Sequence, residues 1–231
     1  MTLGPDQLLL AAAWFLAFLF STTLHEAAHA FAAQRLGDPT AYHGGQVTLN
    51  PWPHIRREPV GMVVIPVLSF LLMGWMFGWA SAPYDPRWAD RYPRRAALMA
   101  LAGPAANLCL VVAAGLLIRT GLGTGVFAPP PVLDYHSLVV ASGGAAGGAA
   151  TLLSVLFFLN LILFVFNLLP LPPLDGSAGI QLFMSDDVAR TVQRIYRQPM
   201  IGWIGILIAW QFFDRVFGPV AAFSLRLLFP G

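Results

Sequence analysis

The chain has 231 residues, 57% of them hydrophobic and only 10% charged, whereas soluble domains carry about 25% charged residues. With a mean hydropathy of +0.68, this composition excludes an ordinary soluble enzyme, and the length suits one bundle of about four to six membrane helices. All thirteen basic residues are Arg, the formal net charge is +2, and no basic cluster of the kind that binds nucleic acid is present.

In chain order, Met1–Gln7 lacks a positive n-region and the apolar stretch after it is too long for a cleavable signal, so a retained helix is predicted over 7–35. Residues 36–59 are polar, and the alternating Gln46-Val47-Thr48-Leu49 after Gly44-Gly45 predicts a short β-hairpin. A second apolar stretch, 60–80, is broken by Pro66, Gly74 and Gly78, and is followed by 81–95, Pro-rich with four Arg. A third span covers 96–118, then a Gly/Pro-rich loop over 119–135. A fourth covers 138–169, its small-residue start (142–148) favouring close helix contact. The basic segment 177–198 reads as an interfacial helix, 199–213 as a fifth span, and 216–229 as a last apolar piece. Trp75, Trp79 and Trp88 read as an interfacial belt. The single Cys109 permits no intrachain disulfide. The fold class expected is therefore an all-α polytopic membrane protein, one membrane-embedded domain over 1–231 with a core at 7–176 and C-terminal helices at 177–231.

His25-Glu26-Ala27-Ala28-His29 lies inside the first span. On a helix, residues i and i+4 share a face, so both imidazoles can reach one metal ion, and the intervening Glu can serve as base to an activated water. A chain of this composition holds such a match by chance about once in a thousand. An unpaired Glu in lipid also costs about 3 kcal/mol or more, which demands a function.

Arg35, Arg56, Arg57, Arg87, Arg91, Arg94, Arg95, Arg190, Arg194 and Arg197 all fall in loops that the positive-inside rule places in the cytoplasm. Basic segments then flank 60–80 on both sides. That stretch is predicted to dip in as a half-helix and return as an extended limb after Gly74 or Gly78; the alternative is an ordinary crossing with one basic loop outside. The spans run inward at 7–35, outward at 96–118, inward at 138–169 and outward at 199–213. Between Leu138 and Ser185 the only ionised side chain is Asp175, just past Pro170, Pro172 and Pro173, which end the helix. Alone it reads equally as a loop residue in a turn. Beside two imidazoles and with no other acid at membrane depth, it becomes the candidate third ligand.

These residues resemble the site-2 proteases, intramembrane zinc metalloproteases. The resemblance rests on His25-Glu26-x-x-His29 and on Asn167-x-x-Pro170-x-x-Pro173-Leu174-Asp175-Gly176. Gly103-Pro104-x-x-Asn107, Leu49-Asn50-Pro51 with His54-Ile55, and Phe77-Gly78-Trp79-Ala80 are similar to a compact bacterial branch without PDZ or CBS domains. The resemblance implies that His25, His29 and Asp175 bind one zinc ion, that Glu26 is the base, and that Asn167 sits near the metal, holding substrate or oxyanion. Two places depart from that branch. Its H-I-D-P-x-G is here His54-Ile55-Arg56-Arg57-Glu58-Pro59-Val60-Gly61, and Ser81 stands where a Lys is common.

The function expected is intramembrane proteolysis of a single-span membrane protein, by a multi-pass enzyme of the cell membrane whose site faces the cytoplasmic side. With Arg35 at the interface, His25 lies about 15 Å deeper at 1.5 Å per residue. A water path is then needed, for which 42–54 and 81–92 are candidates. The limb over 77–83 is expected to pair with unwound substrate as an added strand. His43 and His54 read as loop histidines, and Asn107 as a helix–helix hydrogen bond. The rival classes are a catalytically silent zinc-binding membrane protein and a metal transporter.

Overall fold

The computed structural model describes residues 4–143 and 146–230. Helix α1 (Pro5–Leu36) contains no Gly, and no Pro beyond its first residue, and runs 32 residues. It stops at Gly37, whose φ of 107° only glycine adopts easily, with Arg35 in the last turn against the negative helix end. The next residue, Asp38, is 1% exposed. Its carboxylate accepts from Thr40 N and Thr40 Oγ1, starting α2 (Thr40–His43), and from Asp85 N at 2.8 Å, 47 residues away.

The hairpin predicted at 46–49 is not formed. Gln46 N turns back to Ala41 O at 3.0 Å. Asn50 Oδ1 accepts from Trp52 N at 3.0 Å and so begins α3 (Trp52–Arg57), which leaves too little chain for a paired strand. The two-stranded sheet of the described residues lies elsewhere, where β1 (Phe127–Ala128) pairs antiparallel with β2 (Val140–Ala141).

A π-helical turn (Val60–Val64) runs into α4 (Ile65–Met73), five and nine residues long. At about 20 Å the pair falls short of the roughly 30 Å of a bilayer core. Gly74, at φ 79°, reverses the chain. The backbone then returns extended, and Trp79 N donates to Gly61 O at 3.2 Å, so the limb ends where the helix began. The contact is close enough to require glycine on both sides: a Cβ on Gly61 would meet the Trp79 carbonyl, and one on Gly78 the Gly61 carbonyl. The half-helix and returning limb expected for 60–80 describe this shape. The two departures from the family branch also meet here, since Ser81 Oγ donates to Glu58 Oε1 at 2.7 Å and accepts from Arg57 Nε at 3.2 Å.

Helix α5 (Pro86–Arg91) is capped by Asp85, which accepts from Arg87 N at 2.8 Å. Trp88 on α5 is 7% exposed and packs with Ala89 and Ala96. It is a core residue rather than part of an interfacial belt, because α5 folds back onto α6 (Pro93–Gly123). Trp79, by contrast, is 49% exposed.

Helix α7 (Gly147–Asn167) follows β2; of its predicted small-residue lead, Gly144 and Ala145 lie outside the described residues. The proline loop leads to α8 (Asp175–Gly179), a 3-10 turn (Ile180–Phe183) and α9 (Asp186–Tyr196), so 177–198 is three short pieces rather than one helix. Arg197 pairs with both Asp90 oxygens at 2.8 and 3.0 Å, fastening the end of α9 to α5, and these bonds raise its already high pKa further. The last two predicted apolar pieces are one helix, α10 (Pro199–Leu228). Asp214 and Arg215 do not interrupt it because both are exposed and neither breaks a helix.

Four helices, α1, α6, α7 and α10, are long and apolar enough to cross a membrane. Arg95 Nη1 donates to Leu36 O at 3.1 Å, making α1 and α6 antiparallel; Arg119 Nη1 donates to Leu227 O at 2.6 Å, making α6 and α10 parallel. One apolar cluster joins α6, α7, the strand pair and the end of α10, and a second joins α1, α4 and α7. The polar site lies where α1, α6 and α7 meet α8.

Candidate metal centre

Three elements bring three acceptor atoms together. His25 and His29 lie one turn apart on α1, with Nε2 atoms 3.0 Å apart. Asp175, the first residue of α8, places Oδ2 3.1 Å from His25 Nε2 and 3.3 Å from His29 Nε2. Asp175 therefore belongs to the histidine pair, and the turn reading does not describe it. Gly176 must be glycine for the loop to return, since a Cβ there would run into the Leu168 and Leu169 carbonyls at the end of α7.

The protonation of the imidazoles follows from backbone carbonyls, which only accept. Met99 O lies 2.9 Å from His29 Nδ1, so that nitrogen donates and, in the neutral ring that metal binding requires, Nε2 keeps its lone pair. For His25 the argument runs through two amides. Asn160 Nδ2 faces Leu156 O at 2.7 Å and Ser21 Oγ at 2.8 Å, which turns Asn160 Oδ1 toward Asn107. Asn107 Nδ2 must donate to it, at 2.8 Å, and Asn107 Oδ1 then faces His25 Nδ1 at 2.6 Å. His25 Nδ1 donates, and its Nε2 also carries a lone pair.

Two imidazole lone pairs and a carboxylate oxygen thus converge with no donor between them, and Asp175 Oδ2 is buried without a hydrogen-bond partner. Such a cluster fits a cation. Ligands held tetrahedrally at 2.0–2.1 Å lie about 3.3 Å apart, and the observed triangle has edges of 3.0 to 3.3 Å. Two histidines and a carboxylate are also a donor set of catalytic zinc, leaving a fourth position open. His25, His29 and Asp175 form the one His/Cys/Asp/Glu group of this kind among the described residues.

Glu26 is 6% exposed and makes no hydrogen bond among the described residues, so a buried carboxylate stands free beside the cluster. Asn167 is the last residue of α7 and its Nδ2 donates to Leu163 O at 3.0 Å, within its own helix, leaving Oδ1 available. His54 is buried 1% exposed near Thr48 O, His43 closes α2 and His136 sits 3.5 Å from Asp134; none joins the cluster. Asn107 does bond across helices, and one of its partners is a histidine of the cluster.

Sequence reasoning missed Asn160 and the part played by Gly103. Asn160 stood in plain view as a lone amide in an apolar span, where a polar side chain needs a partner. Gly103 faces the cluster so closely that a Cβ would overlap both Nε2 atoms. No pattern in the sequence announces that.

A family model described as peptidase family M50 matches residues 13–208. The chain is 35% identical over 164 residues to "Putative zinc metalloprotease YwhC" of Bacillus subtilis (strain 168), covering 71% of this chain and 65% of that protein. It is 31% identical over 185 residues to "Putative zinc metalloprotease Rip2" of Mycolicibacterium smegmatis, covering 80% and 61%. To the Rip2 of Mycobacterium tuberculosis (strain Erdman) it is 33% identical over 177 residues, covering 76% and 58%. The chain thus spans 58–65% of the length of these relatives. No solved structure matches it. With four helices fit to cross a membrane and the family pattern matched over 13–208, the chain is a multi-pass membrane protein that belongs to peptidase family M50, the site-2 proteases.

Proposed function

We propose that the chain is an intramembrane zinc endopeptidase that hydrolyses peptide bonds within or next to the membrane span of a single-span protein. One ion is held by His25, His29 and Asp175, with the site toward the cytoplasmic side. The observation that carries this reading is the convergence of three lone-pair donors beside a free buried carboxylate, in a bundle whose long helices are apolar enough to cross a membrane.

Zinc bound there supplies Lewis-acid chemistry, acidifying a water and offsetting charge on the attacked carbonyl. Glu26, unengaged in hydrogen bonds, takes the proton of the attacking water and returns it to the leaving amine. Asn167, whose amide oxygen is free, orients the substrate backbone beside the proline loop. The helix-bound substrate must unwind, and the returning limb offers it a partner. Its Trp79 N–H is taken by Gly61, while the N–H groups of Gly78, Ala80 and Ala82, which point the other way in extended chain, have no partner among the described residues.

The test is turnover of a fluorogenic single-span peptide by purified protein and by its Glu26→Gln variant. Zinc retained with cleavage abolished in the variant is the expected result. Equal turnover by both would overturn the mechanism.

A further inference from the structure

Beyond the limb's polar end lies a cleft of about 440 Å³ whose walls include Gln46, Trp52, Arg56, Arg57 and Pro83. It separates the two segments that the sequence offered as a water path, and its two guanidiniums are largely unspent. Gln46 lines it at 2% exposed, its amide oxygen closed off from the cleft. Arg56 lies over the Trp52 ring, 5.1 Å from its centroid, and Arg57 spends only Nε, on Ser81. Neither guanidinium meets a carboxylate among the described residues.

We propose that this cleft is a substrate subsite. It holds the polar flank of the substrate as extended peptide, with an acidic side chain between Arg56 and Arg57. The proposal rests on the peptidase reading and adds a specificity to it. Two features select a peptide. Pro83 lies in the cleft wall and continues the limb whose free edge would carry the strand, so a peptide paired at 78–82 runs onward into the cleft. The two guanidiniums add charge selection, favouring Asp or Glu just outside the span and opposing the Arg or Lys that commonly stand there on the cytoplasmic side.

The test uses the full chain carrying Glu26→Gln, in phosphatidylcholine nanodiscs, and labelled single-span peptides that differ only in an Asp-Asp or Arg-Arg flank. Fluorescence anisotropy should show the acidic flank binding about tenfold tighter, as expected for two screened charge pairs. Adding Arg56→Glu, an exposed position whose folding is checked by elution profile, should reverse the order. Equal affinities for the two flanks, or a preference untouched by Arg56→Glu, would overturn the proposal. So would an Arg56→Glu effect confined to retention of phosphatidylglycerol when that lipid is added to the nanodiscs, which would assign the cleft to a lipid headgroup. Flank selection without cleavage by the chain that keeps Glu26 would sink the peptidase reading and leave the peptide-binding cleft in place.

Discussion

The backbone carbonyl of Leu156 decides which nitrogen of His25 carries a proton, although the two residues sit on different helices and never touch. Asn160 and Asn107 relay the constraint, each amide turned by the one before it. The relay leaves His25 Nε2 unprotonated and aimed at Asp175.

Removing the relay should therefore weaken zinc binding before it weakens the fold. Asn107→Leu deprives His25 Nδ1 of its acceptor and is expected to lower zinc affinity about 10–100-fold. Asn160→Leu frees Asn107 to flip and should cost less, because an acceptor remains within reach of His25. Competition with a chelating dye measures both. Wild-type affinity in both variants would show that the relay does not set the tautomer.

Gly103→Ala separates site from scaffold in a different way. The new methyl would overlap the Nε2 atoms of both histidines, so zinc occupancy should fall steeply. Alanine is meanwhile a better helix residue than glycine by about 0.5–1 kcal/mol, which offsets part of the roughly 1–3 kcal/mol that displacing two packed imidazoles costs. The expected signature is lost metal with apo-protein thermal stability lowered only modestly, read by metal analysis and by melting in the presence of chelator. A variant that binds zinc normally would show that α6 shifts to make room.

The proposed metal ligands and base stood out because each contrasts with its surroundings. Two His, a Glu and an Asp stand in apolar stretches where charge is costly, and their spacing has a chemical meaning. The return of 60–80 was legible from basic residues on both flanks together with Gly74. What failed did so for local reasons. The alternation at 46–49 is too short to distinguish a strand from a turn when Asn50 and Pro51 are waiting to start a helix. Asp214-Arg215 divides two apolar pieces in the sequence but lies exposed on a continuous α10. Trp88 looked interfacial because nothing in the sequence says that α5, which carries it, folds back onto α6. Long-range ties such as Asp38 to Asp85 are tertiary and leave no periodic trace.

Metal removal should cost stability, since the folded chain brings three ligand atoms together for the cation and the unfolded chain does not. Zinc at a hundred times its dissociation constant adds about 2.7 kcal/mol to the folded state. Melting in detergent with and without a strong chelator should reveal a higher Tm in zinc. His29→Ala should erase most of that difference. A gap of equal size in His29→Ala would mean that zinc stabilises the protein somewhere else.

The limb is held at its two ends by bonds that can be cut one at a time. Ser81 bridges Glu58 and Arg57, and Asp38 takes the Asp85 amide. Ser81→Ala removes the bridge and adds no bulk, so about 1 kcal/mol of docking should be lost, a roughly fivefold rise in local opening. Hydrogen exchange at the Trp79 amide, which Gly61 O protects, reports that opening directly. Asp38→Ala should instead speed exchange at Asp85 and Thr40, whose amides it accepts, and spare Trp79. Ser81→Lys places an ammonium near the Glu58 carboxylate and should restore protection at Trp79. If Ser81→Ala exchanges like the wild type, the Gly61 contact alone docks the limb, and the substitutions at 58 and 81 are neutral to it.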